Sequence, residues 1–377
     1  MNHENQLEEK PELLELMLND TKNAPKLYQP TKYWYNYEKK FLPELKRLGL
    51  KDFRRRKNSV LQSFGAVDID PIDLNLRVLN KDLFEGIFPP KKHILFKRFI
   101  RSAIRIKSFR RMVEQISRLW LGISLEQKLF FTYQYAKHYG IANKAPLISN
   151  LSDSLIGSPK NILKINDNVY TLTLLRHYLL YAYTCKFIDY SSIFSVLEIG
   201  SGSGGQVEVL KKLHPNMTIF VIDIPPQLYV CEQYLKAVFP NVVISYEKTR
   251  NMVEIPVNSK GKIFIFSPWQ LPKIKNLVYD LFWNSASFQE MNSEVVLNYL
   301  KFVNAQTQKF VFLHEEMELI TSGNTYQNWI GATKEDYFQG LKNFELIDYS
   351  PSLSQFLGPH QNYTCAIWQR KQSSVNL

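Results

Sequence analysis

The residue types that could do chemistry gather between positions 198 and 316. Glu198, Gly200, Ser201, Gly202, Gly204 and Gly205 follow one another closely, and Asp223 stands at the end of the next apolar run. Glycines adopt backbone dihedrals barred to other residues and let a ligand approach the chain. A helix opening behind them would aim its N-terminal amides at that ligand. A carboxylate at a strand tip can accept hydrogen bonds from both hydroxyls of a ribose. Further along, Glu290 and His314 have the types suited to proton transfer, and an unperturbed imidazole titrates near pH 6.5. The chemistry this pattern calls for is nucleotide binding with a proton acceptor nearby.

Those residues need strands and helices to hold them. Val196, Leu197 and Ile199 form a short apolar run of the kind found in a strand buried on both faces. Val207 to Leu213 has helical spacing, with Val209, Leu210 and Leu213 on one side and Lys211 and Lys212 on the other. Pro215 and Asn216 break the chain, and Ile219 to Ile222 make a second buried strand ending at Asp223. Strand and helix then alternate, as a doubly wound sheet requires. Pro225 and Pro226 open a helix that runs to Pro240. Val242 to Tyr246 reads as strand three, Lys262 to Phe266 as strand four and Phe310 to Leu313 as strand five, with a helix over Ser293 to Val303. Phe344 to Tyr349 and Thr364 to Trp368 form a final pair. A ligand belongs in the crevice at the carboxyl ends of strands one, two and four.

The chain has 377 residues, enough for two domains and a large core. A loop-rich stretch over 141–168 places the boundary: a mostly α-helical N-terminal domain over 1–160, reading as an acceptor-binding lid, and a nucleotide-binding domain over 161–377. The net charge of +12 calls for an anionic partner or surface. The segment 91–111 holds nine Lys or Arg and no acid, with apolar residues at roughly helical spacing. It reads first as a core-packed helix with a solvated basic face, then as a phosphate or peripheral membrane contact. A nucleic-acid surface comes last, since no RNA or DNA module accompanies it. Three scattered cysteines point to reduced thiols and a cytoplasmic protein. The acidic, polar N-terminus is unlike a secretory signal, and no apolar run approaches the ~20 residues of a membrane helix.

Gly200, Gly202 and Gly205 fit the G-x-G-x-x-G dinucleotide pattern, and Gly200, Gly202 and Gly204 equally fit the G-x-G-x-G loop of S-adenosylmethionine (SAM) enzymes. Glu198, two residues ahead, resembles the acid of the E/D-x-G-x-G-x-G signature of class I methyltransferases. More narrowly, the chain resembles the putative sugar O-methyltransferases of bacterial glycan clusters. The resemblance runs from about Tyr33 to Gln369, through YWYNYEKKF, LGLKDFRRR, DSLIGSP, LLRHYLLYA, LEIGSGSGG, IDIPPQLYVCEQYL, FSPWQLPKI and DLFWNSASFQEMNSEVVLNYL. It departs in the glycine loop, where many relatives carry Gly-Gly-Tyr-Gly and this chain has Gly202, Ser203, Gly204 and Gly205.

The resemblance implies an α/β fold: a Rossmann-like class I methyltransferase sheet of seven strands, the last antiparallel, behind an α-helical N-terminal domain. It implies SAM as cofactor, held by Glu198, Gly200, Ser201, Gly202, Gly204, Asp223, Ile224, Ser267 and Trp269. Ser267 and Trp269, at the end of strand four, are expected beside the methyl group. The acceptor is expected to be an anionic sugar-nucleotide or glycan, with His314 or Glu290 taking the hydroxyl proton. Each has a plainer role beside it: His314 as a satisfied structural histidine, Glu290 as a helix-capping acid. Asp280, Asn284 and His360 are weaker candidates. Glu315 and Glu316 beside His314 would suit a divalent ion, although tandem acids after a strand are more often solvated, and no metal is indicated. The alternatives are a natural-product O-methyltransferase and a nucleic-acid-binding protein with a vestigial SAM fold.

Overall fold

The computed structural model describes residues 7, 9–56, 59, 61, 125–317, 331–352 and 363–372. The basic segment 91–111 and His360 lie outside them. The central sheet has eight strands: β1 Ser195–Ile199, β2 Thr218–Ile222, β3 Val243–Ile244, β4 Ile263–Phe266, β5 Tyr279–Ser285, β6 Thr307–Glu315, β7 Phe344–Pro351 and β8 Thr364–Arg370. Their spatial order is β3-β4-β2-β1-β5-β6-β8-β7. The first six run parallel, and β8 inserts antiparallel between β6 and β7. The antiparallel last strand is as expected from the sequence, but the count of seven is corrected to eight.

The additional strand is β5. Its Asp280 and Asn284 interrupt an otherwise apolar run, which hides a strand from periodicity. Both polar side chains hydrogen-bond to β1 or to the residue just before it. The Asp280 carboxylate accepts from the amides of Phe194 and Ser195 at 2.8 and 3.2 Å, and the Asn284 amide donates to the Ile199 carbonyl at 2.8 Å. The expected strand over Val242 to Tyr246 shrinks to two residues at the sheet edge. The chain winds outward from β1 through β2 to β4, then returns to the other side of β1 as β5. That reversal, at the β1 tip, is the switch point where an open α/β sheet takes its ligand.

Successive strand residues feed two cores, as the two-residue period of a pleat requires. Val196, Ile219, Val221, Leu281, Trp283 and Phe312 pack on one face. Leu197, Phe220, Ile222, Phe282, Val311 and Leu313 pack on the other. The first face carries helices α1 Pro11–Lys22, α2 Lys32–Leu48, α3 Leu125–Ala142, α4 Leu172–Thr184, α5 Gly205–Leu213 and α6 Pro225–Val238. The second carries α7 Ser293–Gln306 and α8 Lys334–Gly340. Residues of α1 and α2 share one hydrophobic cluster with β1 and α6, so the N-terminal helices are seated on the sheet's own core.

Helix α2 continues through Pro43 and stops at Gly49, whose φ of 55° suits a helix end. Trp34, Tyr37 and Phe41 pack ring to ring along α2, and that burial outweighs the hydrogen bond Pro43 cannot donate.

A buried ion pair fixes the next segment. Arg54 donates to Asp153 at 3.1 and 2.9 Å, with both side chains almost fully enclosed. Thr171, which caps α4, donates to the same carboxylate. Arg56 is structural as well, pairing with Glu44 at 3.7 Å and donating to the carbonyls of Leu48, Gly49 and Lys51. No helix among the described residues is long and apolar enough to cross a membrane.

Candidate active site

The glycine loop leaves β1 at Ile199. Gly200 has φ 79°, and a Cβ there would lie 2.3 Å from Cβ and Oγ of Ser287, so the loop after β5 closes directly on it. Gly202 has φ 56° and donates its amide to Asp223 Oδ2 at 2.8 Å. Gly204, at φ 88°, caps α5, which opens at Gly205. Left-handed backbone at these positions is what the sequence of glycines supplies.

The loop forms the floor of a cavity of about 450 Å³ at the carboxyl ends of β1, β2, β5 and β6, ample for a nucleoside-sized ligand. Glu198, Gly200, Ser201, Gly202, Asp223 and Ile224 line it. Glu198 points up from within β1, and its Oε2 has no hydrogen-bond partner among the described residues. Burial, reinforced by the neighbouring charge of Asp223, pushes its carboxyl up to about 8. Burial likewise raises Asp223 to about 7, against the pull of hydrogen bonds from Gly202, Ile224 and Ser201. Two adjacent acids held above their ordinary range make this half of the cavity receptive to a cation and to hydroxyl donors.

The opposite half is built from loops. Glu290 lies in a short 3-10 turn after β5 and lines the cavity. Its carboxyl is driven well above the ordinary range by burial and by the charge of Glu315, while the Trp34 indole donates to it. Thr31 donates to the Glu290 carbonyl at 3.4 Å, so the start of α2 is hydrogen-bonded to this turn. Tyr33, Trp34 and Tyr37 form an aromatic wall beside it.

His314 reaches the cavity too, but both ring nitrogens are taken. Nδ1 meets Ser285 Oγ and Nε2 meets Ser352 Oγ, each at 2.8 Å, and the ring stacks on Tyr363 at 4.8 Å. Glu315 is equally occupied: its oxygens accept from the amides of Ser287, Phe288 and Gln289, capping the turn that carries Glu290. Among the described residues no group of three or more His, Cys, Asp or Glu is arranged to hold a metal ion.

Several sequence candidates stand elsewhere. Gly204 is covered by Cys231 and Leu235 and does not line the cavity. Ser267 and Trp269 follow β4, which lies beyond β2 and away from β1, and neither lines the cavity. The expected position beside β1 belongs to β5, so Ser285, Ala286 and Ser287 occupy it instead. Asp280 sits at the start of β5, at the far end of the sheet, paired with Lys309 at 3.2 Å. Asn284 is buried between β1 and Ser287, holding the two loops together. Sequence reading gave no site role to α4, whose Thr173, Arg176, His177 and Leu180 present one stripe at helical spacing to the cavity. His177 faces the glycine loop, meets Gln206 at 3.2 Å, and is held down to about 4 by burial and the charge of Arg176. The signal was there in the i, i+3, i+4, i+7 spacing of polar and apolar residues, but the direction of the stripe was not.

No family model matches the sequence, and no curated protein matches it. Solved structures do align in part. PigF, solved with SAH, is 13% identical with a TM-score of 0.33, over 53% of this chain and 59% of its own. The mitomycin 7-O-methyltransferase MmcR is 9% identical with a TM-score of 0.34, over 52% and 57%. The magnesium protoporphyrin IX methyltransferase ChlM from Synechocystis PCC 6803, with bound SAM, is 9% identical with a TM-score of 0.35, over 64% and 97%. The chain thus spans under two thirds of the length of PigF and of MmcR.

Proposed function

We propose that this protein is a SAM-dependent O-methyltransferase acting on a hydroxyl of a small molecule, with a sugar or sugar-nucleotide as the first acceptor class to try. One observation carries the reading. Two left-handed glycines, Gly200 and Gly202, an unpartnered buried Glu198 and Asp223 at the neighbouring strand tip converge on one cavity at the switch point of the sheet. The residues fit the group: Glu198 offers a free carboxylate oxygen to an ammonium, Asp223 a carboxylate to a ribose, and Gly200 leaves room where any Cβ would collide with Ser287.

When bound, SAM supplies a methyl group on a positively charged sulfur. The chain's own residues do the rest. Asp223 and the loop amides orient the donor. Tyr33 and Trp34 wall the acceptor half and exclude water, and alignment alone contributes several kcal/mol to such a displacement. Glu290 takes the proton that the acceptor hydroxyl gives up as its oxygen accepts the methyl. Burial and the charge of Glu315 raise its pKa, which favours uptake of that proton. His314, engaged at both nitrogens, positions Ser285 and Tyr363 rather than moving a proton.

The test is calorimetric titration with SAH, followed by incubation with methyl-labelled SAM and a panel of sugar-nucleotides, glycans and phenolic metabolites. Micromolar SAH binding and label in any hydroxyl support the reading. No SAH binding overturns it, and label found only in phenolic metabolites overturns the sugar acceptor.

A further inference from the structure

The stripe of α4 that faces the cavity holds a cation that the donor reading does not use. Arg176 lines the cavity, yet it makes no ion pair and no hydrogen bond among the described residues. Burial draws its pKa down, but a guanidinium remains charged at any ordinary pH. The cavity's acids do not neutralise it. Neither Glu198 nor Asp223 is shifted by its charge, and the group that acts on it is the Tyr363 hydroxyl. Arg176 is partly buried, so a charge without a partner carries a desolvation cost there, which a ligand completing the pair offsets.

Surroundings separate Arg176 from its neighbour. His177 faces the glycine loop, where an added Cβ on Gly205 would meet its Nε2 at 2.6 Å. Arg176 shares the cavity wall with Tyr363, the group whose charge acts on it. Tyr363 belongs to the Glu290 half: it accepts from Gln289, one residue before Glu290, at 2.5 Å, and it stacks on His314. A fork of parallel N–H donors suits planar carboxylates and phosphates above other ligands.

Resting on the methyltransferase reading, we propose that Arg176 is the receptor for an anionic group, carboxylate or phosphate, on a small molecule bound in this cavity, and that the wall it shares with Tyr363 assigns that group to the acceptor. The acceptor would then carry its anion near the hydroxyl that is methylated, as a sugar phosphate or a hydroxy acid does. The other source of the same chemistry is the donor's own amino-acid carboxylate.

The experiment compares wild type with Arg176→Met and Arg176→Lys in three titrations: SAH, methylthioadenosine (which lacks the amino acid), and inorganic phosphate or benzoate added to the SAH complex. Expected is saturable binding of phosphate or benzoate to the wild-type complex, weakened at least tenfold in R176M and less in R176K, with SAH affinity changed under threefold. A loss of SAH affinity of tenfold or more in R176M, with methylthioadenosine unaffected, upholds the anion site but moves it to the donor. If R176M binds all of these as wild type does, the proposal is overturned. Wild-type protein that binds no SAH defeats the methyltransferase reading instead, and phosphate or benzoate titrated into the ligand-free protein still tests Arg176. Matching melting temperatures of the three proteins exclude a folding artefact.

Discussion

Glu198 and Asp223 stand at the carboxyl ends of adjacent parallel strands, close enough that the charge of one raises the pKa of the other, and neither has a cationic partner among the described residues. An empty cavity therefore favours their neutral forms near pH 7, and a bound ammonium or sulfonium favours the ionised ones. Donor binding at about pH 7 is expected to release protons. Calorimetry in buffers of different ionisation enthalpy measures this directly. SAH affinity should rise with pH up to about 8, and Glu198→Gln should weaken SAH about tenfold and suppress the proton release. Binding that leaves the proton count unchanged in wild type would remove Glu198 from the donor site.

The same carboxyls shape stability. Glu198, Asp223 and Glu315 have folded pKa values of about 8, 7 and 8, above the values they have in an unfolded chain. Between those limits the folded protein holds protons that the unfolded chain has released, so stability falls as pH rises and levels off above about 8. His177 and His214, both pushed down to about 4, act oppositely but only below about 6.5. The ligand-free protein should therefore lose melting temperature between about pH 6.5 and 8.5, and E198Q should flatten that decline. A melting temperature that climbs across this window would contradict the burial of these acids.

Asp223→Asn keeps the shape of the strand tip but not its charge. SAH affinity should drop about 10- to 100-fold, as expected for about 1.5–3 kcal/mol from a charged hydrogen-bond pair. Melting temperature should hold or rise, because the carboxylate is itself disfavoured in the empty cavity. Unchanged affinity would separate Asp223 from the ribose.

Glu290→Gln should lower kcat by about 10²–10⁴ with SAH affinity nearly intact. His314→Ala should instead lower thermal stability, since it leaves Ser285, Ser352 and Tyr363 without their common partner, with activity falling in step with folded protein. Full turnover in E290Q, together with loss of turnover in a well-folded His314→Gln, would exchange the two roles.

Arg54→Met leaves Asp153 buried without its guanidinium and should cost about 3–5 kcal/mol in urea unfolding. The double variant Arg54→Met with Asp153→Leu should recover much of that loss, because an apolar pair carries no desolvation penalty. A single variant as stable as wild type would show the pair to be dispensable.

Much of this fold was legible in the sequence. The order of β1, glycine loop, α5 and β2 followed from periodicity, and the antiparallel closing strand from the family resemblance. Strand β5 did not, because Asp280 and Asn284 are polar for reasons that exist only in three dimensions: each serves a neighbouring strand. Missing β5 displaced the expected methyl-side residues to Ser267 and Trp269, one strand too far out. Glu198, Gly200 and Asp223 could be placed at the cavity because glycine conformation and strand-tip position are local properties. The Glu290 half could not, since it is assembled from Thr31, Trp34, Ser287, Glu315 and Tyr363, which meet only through packing.

The placement of β8 has a consequence for how the chain is made. This strand is the last of the described strands, yet it is interior to the sheet, hydrogen-bonded to β6 on one side and β7 on the other. Until residues 364–370 leave the ribosome, both partners present unpaired edges that can adhere to other chains. Tyr363, which steadies His314 and receives Gln289, arrives with the same strand. Synthesis therefore delivers the aromatic wall of α2 first and the piece that completes the cavity last. A ribosome stalled shortly before Tyr363 would hold a sticky half-sheet with a glycine loop and an unfinished cavity wall.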